Sequence, residues 1–554
     1  MESKIQDIIR LSTFGSSHVI ILASATYQDN VLILGKFSGV LTLNDSNVLR
    51  NNNNNYSFFL ASYSPFSNGL QLNWSKKIAE TPDNSLDVSG SILIVGSDTY
   101  VSFEFSNCVS LANNKVVKIN GKGDIILALD EDLKLIYYVT ITGYTNSNIL
   151  LEGIINVGGS GNNNSNRNNN DNRLIGRSNS NVDIPTTNSN LLIGLNFNKN
   201  NKVDINNTLF STDKAADFLI IQLNTRGMIT NSKKLDLGTA SLTVMILIPK
   251  NKSSLLLAGN YQNSMAVDGF VLTEDNSYLN SWFGTFDVST FMFTSLDTFI
   301  SLNEEFKQCS SSMNPSTPSA PSISNMTNVP INGNTRNGIT NSNTTMMTRN
   351  RVTTMIKNNT NNTSATTATS AIATWNENSN KPHFLITHGT VDERQNYYFT
   401  GRINGKYKFG STLVETTGDT IFLLKLDRFG ALQFITTIDY DFRPGNNKTS
   451  IYPHLSIENS YNNTGTGVFL TSGFHFSIKL NDSNGNSVNI DAEGSYPHFV
   501  AKYNKKDGSL IHCHTYSTTE TYKRRKIALG EHLYMFGNVD LGNKMTSYIA
   551  KLIR

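Results

Sequence analysis

An eight-residue pattern recurs seven times in the chain, and it constrains the fold more than any other feature. Its copies are Ser57–Ser64, Gly123–Asp130, Asp217–Asn224, Leu296–Asn303, Thr420–Asp427, Pro497–Asn504 and Thr546–Ile553. Each has an apolar centre, and most stop on Asp or Asn. A strand buried on both faces and followed by a turn needs that chemistry. Before the pattern comes an apolar run closing on Gly, as in Leu32-Ile-Leu-Gly35, Leu93-Ile-Val-Gly96, Leu191–Gly194, Leu256–Gly259, Tyr398–Gly401 and Tyr534–Gly537, with a weaker Phe469–Gly473. After it a further strand is expected at Gly69–Ile78, Leu133–Ile141, Gly227–Leu235, Gly430–Ile438 and Gly508–Tyr516. Missing such a repeat would misassign the whole fold.

Successive copies end 49 to 124 residues apart. Two insertions account for the longest spacings. Residues 310–374 are dominated by Ser, Thr and Asn with no Asp or Glu, and 159–189 are rich in Asn; neither has the bulky apolar content to offset the entropy of ordering. Both read as disordered. Without them the two longest spacings become 63 and 59 residues, and a period of about 50–80 links all seven copies. The insertions carry +4 and +1 of the net +3, so the remaining body is at −2. Charged residues make up only 16% of the chain against 74 asparagines, so solubility rests on Asn, Ser and Thr, and no basic surplus points to nucleic acid.

A unit of about four strands at this period is the signature of a propeller blade. We expect an all-β chain, residues 1–554 forming one β-propeller of seven blades. The last copy ends one residue before Arg554, so Ile5–Ser12 is expected to supply the outer strand of that blade and remove its exposed edge. Helix-period segments are scarce; Lys4–Leu11 and Thr519–Ala528 are the best helical candidates. A β-sandwich, or two β domains divided at 310–374, is the competing architecture. Gly after the inner strand is expected to admit close approach from the next blade.

The order Tyr398-Phe-Thr-Gly-Arg-Ile-Asn-Gly405 followed by Gly418-Asp-Thr-Ile-Phe-Leu-Leu-Lys-Leu-Asp-Arg-Phe-Gly430 resembles the β-propeller repeat family labelled SBBP. Its units read roughly tyr-val-thr-gly, then asp-x-phe-val-ala-lys-leu-asp, then gly. His498–Asn504 matches nearly as well, while the first four units keep the strand pattern and lose several marker residues. The resemblance implies a propeller scaffold, often used as an interaction surface, with no fixed catalytic residues. The Asn-rich insertions resemble those of amoebal and giant-DNA-virus proteins.

Candidate chemistry is sparse. His512-Cys513-His514 puts two imidazoles on one strand face, but the strand holds no third ligand, and ordinary strand histidines are the expectation. Asp130 and Asp427 read as turn terminators. Glu304-Glu305 could act as general acids or metal ligands if loops brought them together with other acids, and the basic run Lys523-Arg524-Arg525-Lys526 reads as a solvated loop or strand edge rather than an anionic partner site. Cys108, Cys309 and Cys513 are too few for a disulfide framework, and Trp74, Trp282 and Trp375 are expected in packing. No phosphate-binding or hydrolase motif occurs, so we expect no catalytic, cofactor-binding or metal residues and no cofactor. No apolar run approaches the roughly 20 residues of a membrane span. With no secretory signal, the expected setting is intracellular or a virion. The expected function is a non-catalytic scaffold that binds a protein partner or assembles into a larger structure, as in a virion or viral factory. The competing function is a glycan-binding or glycan-processing propeller with its site at the central channel.

Overall fold

The computed structural model describes residues from Ile5 to Leu552, with its longest breaks at 156–188, 299–382 and 441–452 and shorter ones elsewhere. The segment 310–374 lies outside the described residues, as does 159–189 apart from Ser189. Two parts divide the chain, Met1–Leu302 with Ser370–Arg554, and Asn303–Thr369; every described strand belongs to the first. Among the described residues each regular element is a β-strand, and no helix is long and apolar enough to cross a membrane.

Among the described residues the strands fall into seven groups of four antiparallel neighbours, six of them with a hairpin between the second and third. Strand β1 (Ile5–Thr13) comes first in the chain but belongs with the last group. Unit one is β2 (Val19–Tyr27), β3 (Asn30–Ser38), the hairpin β4 (Val40–Asn44) and β5 (Asn47–Arg50), then β6 (Tyr56–Phe66) and β7 (Gly69–Thr81). Unit two is β8 (Gly90–Val95), β9 (Asp98–Leu111), β10 (Val116–Leu129) and β11 (Leu135–Thr142), where long β9 and β10 themselves extend into the hairpin. Unit three is β12 (Ile149–Ile155), β13 (Ser189–Asn198), hairpin β14 (Lys202–Ile205) and β15 (Thr208–Ser211), then β16 (Ala216–Leu223) and β17 (Ile229–Leu235).

Unit four is β18 (Thr243–Pro249), β19 (Ser254–Gln262), hairpin β20 (Ser264–Val267) and β21 (Phe270–Thr273), then β22 (Leu279–Asp287) and β23 (Met292–Thr298). Unit five is β24 (His383–Val391), long β25 (Tyr397–Phe409) and β26 (Thr412–Leu426), and β27 (Leu432–Tyr440). Unit six is β28 (His454–Ile457), β29 (Gly467–Gly473), hairpin β30 (Ser477–Asn481) and β31 (Ser487–Asp491), then β32 (His498–Asn504) and β33 (Leu510–Tyr516). Unit seven has β34 (Thr521–Leu529), β35 (Leu533–Asp540) and β36 (Met545–Leu552), and β1 completes it antiparallel to β36 with Ile8 opposite Ala550.

Second and third strands carry runs of consecutive apolar residues because both faces are covered there, as in Leu32–Leu34 and Phe58–Ala61, whereas outer β27 alternates buried with partly exposed residues. The buried clusters lie between consecutive units. One joins Ile20, Leu34 and Phe58 of unit one to Val101, Phe103 and Ile125 of unit two. Another joins Leu11 and Ile549 of unit seven to Val19, Ile33 and Phe59 of unit one. First strands also meet in succession: β2 with β8, β8 with β12, β12 with β18, β18 with β24, β24 with β28, β28 with β34, and β34 with β2. Hairpins lap onto the outer strand of the preceding unit, through β4 on β1, β14 on β11 and β30 on β27.

Several expectations need correction. Lys4–Leu11 and Thr519–Ala528 were candidates for helix, yet β1 and β34 occupy those stretches, because cross-strand pairing to β36 and β35 overrides a weak local period. Leu296–Asn303 is not a third strand: β22 pairs with β19 and holds that place in unit four, and Leu296 lies in outer β23. Trp282 and the interior Gly284 give β22 a composition unlike its counterparts. The Gly-closed runs do not all fall at one place: Leu93-Ile-Val lies in first strand β8, and the others lie in second strands. The Gly positions also work differently from expectation. A Cβ on Gly35 would come within 2.4 Å of Phe59 and 2.9 Å of the Ile20 carbonyl, both in its own unit, so the close approach is within the sheet.

Lys36 on β3 is fully buried between units one and two. Its ammonium donates to the Ser85 carbonyl at 2.7 Å and sits 4.9 Å from the Tyr56 ring. Burial pushes its pKa down to about 8, against the opposing pull of Asp83 and Glu104. The folded-state value lies below the unfolded one, so the folded chain holds fewer protons between pH 8 and 10.5 and stability rises with pH across that window. Below it the cost of about 3 kcal/mol is fully present. Lys36→Met is therefore expected to raise the urea midpoint at pH 7 and to lose that advantage above pH 10.5; an equal difference at both pH values would refute the assignment.

Candidate functional site

The residues with sequence-expected chemistry are dispersed by the fold. His512 and His514 share one face of outer strand β33, their rings 5.4 Å apart. A bulge around Ile511 lets Leu510 and Cys513 both pack on the core shared by units five and six. Burial pushes the Cys513 thiol up to about 12, which leaves a small apolar side chain rather than a nucleophile. Burial also lowers His514. Among the described residues no three His, Cys, Asp or Glu side chains form a metal-binding group. Replacing both histidines with Ala is expected to leave the metal content of purified protein unchanged and to cost about 1 kcal/mol of packing; stoichiometric zinc lost in that variant would contradict this.

Asp427 accepts from the Phe429 and Ala431 amides at 2.8 and 2.9 Å, and Asp130 accepts from Lys134 N at 2.7 Å. Both close the turn between third and fourth strands, as does Asn224 for the Arg226 and Met228 amides. Trp282 is wholly buried and Trp74 is exposed on β7. Lys523–Lys526 fall in β34, while Glu304-Glu305, Cys309 and Trp375 lie outside the described residues.

Two sites were not legible in sequence. On first strands β24 and β28, His388 and His454 have ring centroids 3.8 Å apart, and Leu455 N donates to His388 Nδ1 at 3.3 Å. That bond assigns the proton of a neutral His388 to Nε2. In unit five, Asp419 binds Arg402 and lies 3.2 Å from His383 Nε2, with all three side chains largely buried. Charge neutralisation within one sheet explains this trio.

Among the described residues a groove of about 630 Å³ lies on units two and three. Three segments build it: the tip of the β9–β10 hairpin, outer strand β11 and the β14–β15 turn. Asn206 and Asn207 both take positive φ, 49° and 67°, and Asn206 clips the turn to β11 by accepting from Thr140 N at 3.0 Å. Lys115 Nζ stands 4.5 Å over the Tyr138 ring. Tyr137 packs directly on Gly227, where a Cβ would come within 2.4 Å of the ring, and burial pushes its phenol pKa up. Lys118 lies beside Lys115 on the hairpin side, and Val116 and Ile136 are both about half exposed there.

This groove belongs to a wider pattern. Units one to six each expose one large apolar side chain on the second arm of the hairpin: Val48, Val116, Leu209, Val271, Leu413 and Val488. Each also exposes one on the outer strand or the turn leading into it: Trp74, Ile136, Met228, Met292, Phe429 and Ile511. Phe476 is the sole exposed large hydrophobic of the described residues outside these two places. Their exposure reaches 63% at Val271 and 77% at Phe429.

No protein-family model matches the chain, and no curated protein matches it.

Proposed function

We infer that the chain is a single seven-bladed β-propeller, of the SBBP-like type its repeat resembles, acting as a non-catalytic scaffold whose outer wall binds another protein. The succession of first-strand contacts from β2 to β34 and back to β2, with the pairing of β1 beside β36, supports the propeller reading. The observation that carries the function is the unit-by-unit exposure of apolar side chains on hairpins and outer strands. Singly scattered hydrophobics need no explanation, but repetition at two equivalent places in six units presents a regular surface suited to a macromolecular partner. Asn-rich insertions like those of amoebal and giant-virus proteins make a virion or viral factory the proposed setting.

The test is recovery of partners from the native source with two sets of variants. Val116→Asp with Ile136→Asp and Leu209→Asp is expected to lose partners while retaining the wild-type thermal transition, because these side chains are exposed. His388→Ala with His454→Ala, on the first strands, is expected to keep them. The reverse result, with glycan recovered through the first-strand residues, would replace this reading with a channel site.

A further inference from the structure

We propose that the groove between units two and three receives an extended acidic segment of the partner protein, an inference that rests on the scaffold reading above. Its first support is charge. Lys115 and Lys118 stand on one side of the groove, and among the described residues neither is in an ion pair. Asp132, at the turn leading into β11, is already bound by Lys134 at 2.8 Å, so it does not neutralise them. Two cations on one side of a groove of this size favour carboxylates spaced along a chain.

A second support is the chemistry of the remaining lining. Val116 and Ile136 offer aliphatic contact to a side chain between the carboxylates, and Asn207 supplies an amide suited to a peptide backbone. A sugar would instead need an open ring face for stacking. Both tyrosines already have a contact on the ring: Lys115 Nζ stands 4.5 Å over Tyr138, and Tyr137 packs on Gly227. The aliphatic lining beside the lysines favours an acidic peptide with apolar side chains over a carboxylated glycan.

Fluorescence anisotropy of the full chain with a labelled peptide alternating Glu and Leu tests the proposal. Saturable binding is expected, weakening about tenfold when salt rises from about 50 to about 500 mM, as screening of exposed charges requires. Lys115→Glu with Lys118→Glu should weaken it at least about tenfold, since each reversal sets like charges together. Their side chains are exposed, so the variant is expected to fold, checked by its thermal transition. A peptide alternating Lys and Leu should not bind, and oligogalacturonate should not displace the acidic peptide. Unchanged affinity in the charge-reversed variant, or displacement by oligogalacturonate, would overturn the proposal. These outcomes leave the scaffold reading standing if the wall substitutions still release native partners, so the two can fail separately.

Discussion

Deleting residues 1–13 is expected to lower the stability of the whole β structure, although the segment is terminal. Strand β1 completes the ladder of β36 from Ile5 opposite Leu552 to Leu11 opposite Ser547, and its last residues pair with β4, Ser12 opposite Thr42. Leu11 is fully buried in the cluster that joins units seven and one. Removing β1 exposes the edge of β36, strips the apolar cover from Ile549 and frees the unit-one hairpin. Truncating one such core leucine costs about 3 kcal/mol, and losing the strand is expected to cost on the order of 5 kcal/mol or more. The urea transition should shift as a whole. An open array of repeats predicts fraying confined to unit seven, with a midpoint for the rest that stays in place. Cysteines at Ile8 and Ala550, which face each other across the ladder, should crosslink on oxidation and raise the midpoint.

The second large effect is expected at Asn538. Its Oδ1 accepts from Ile21 N at 2.8 Å and its Nδ2 donates to Ile21 O at 3.0 Å, so one side-chain amide from unit seven pairs with the peptide groups at the bulge of β2 in unit one. Ser547 Oγ lies 2.7 Å from Asn538 Oδ1 and 3.1 Å from Val19 O. Asn260 repeats the device between units four and five: it pairs with both backbone groups of Ile386 at 3.0 Å, with Ser281 Oγ 2.6 Å from its Oδ1. Both asparagines follow the Gly that closes a second-strand run, Gly259 and Gly537. Asn538→Leu should leave a buried donor and acceptor without partners and cost about 3 to 5 kcal/mol in the denaturant midpoint. Asn538→Asp keeps the acceptor but sets a carboxylate against the Ile21 carbonyl. Its folded-state pKa should rise, so its deficit should grow as pH climbs above about 4, the unfolded carboxylate value, and shrink in acid. A loss independent of pH, or under about 1 kcal/mol for Leu, would refute the clamp.

The all-β character and the third strands of the other six units were legible because each rests on local chemistry, and the partner of the N-terminal segment was legible because the last repeat lacks its fourth strand. A strand covered on both faces must be apolar at consecutive positions, as Phe218–Ile221 and Ile421–Leu424 are, and the turn after it needs a side chain such as Asp427 to cap amides two and four residues on. The third strand of unit four was hidden because β22 reads Leu279-Asn-Ser-Trp-Phe-Gly-Thr-Phe-Asp287, polar or Gly at positions where the other third strands are aliphatic, although Trp282 and Phe286 are fully buried in the core. Pairing with β19 keeps β22 in the sheet where a pattern of residue types loses it.

Sequence alone therefore determined what depends on alternation along one strand and on the chemistry of one turn. Tertiary structure decided what depends on atoms from different units. The wall groove joins the hairpin tip near Lys115 to the Asn206-Asn207 turn of the next unit, and the clamp joins Asn538 to Ile21 across nearly the whole chain. An exposed Val116 or a buried Asn260 carries no mark of its role in its neighbours along the chain. The reason is that recognition and polar satisfaction are set by which groups lie within a few ångströms, and sheet packing brings those groups together without regard to their separation in sequence.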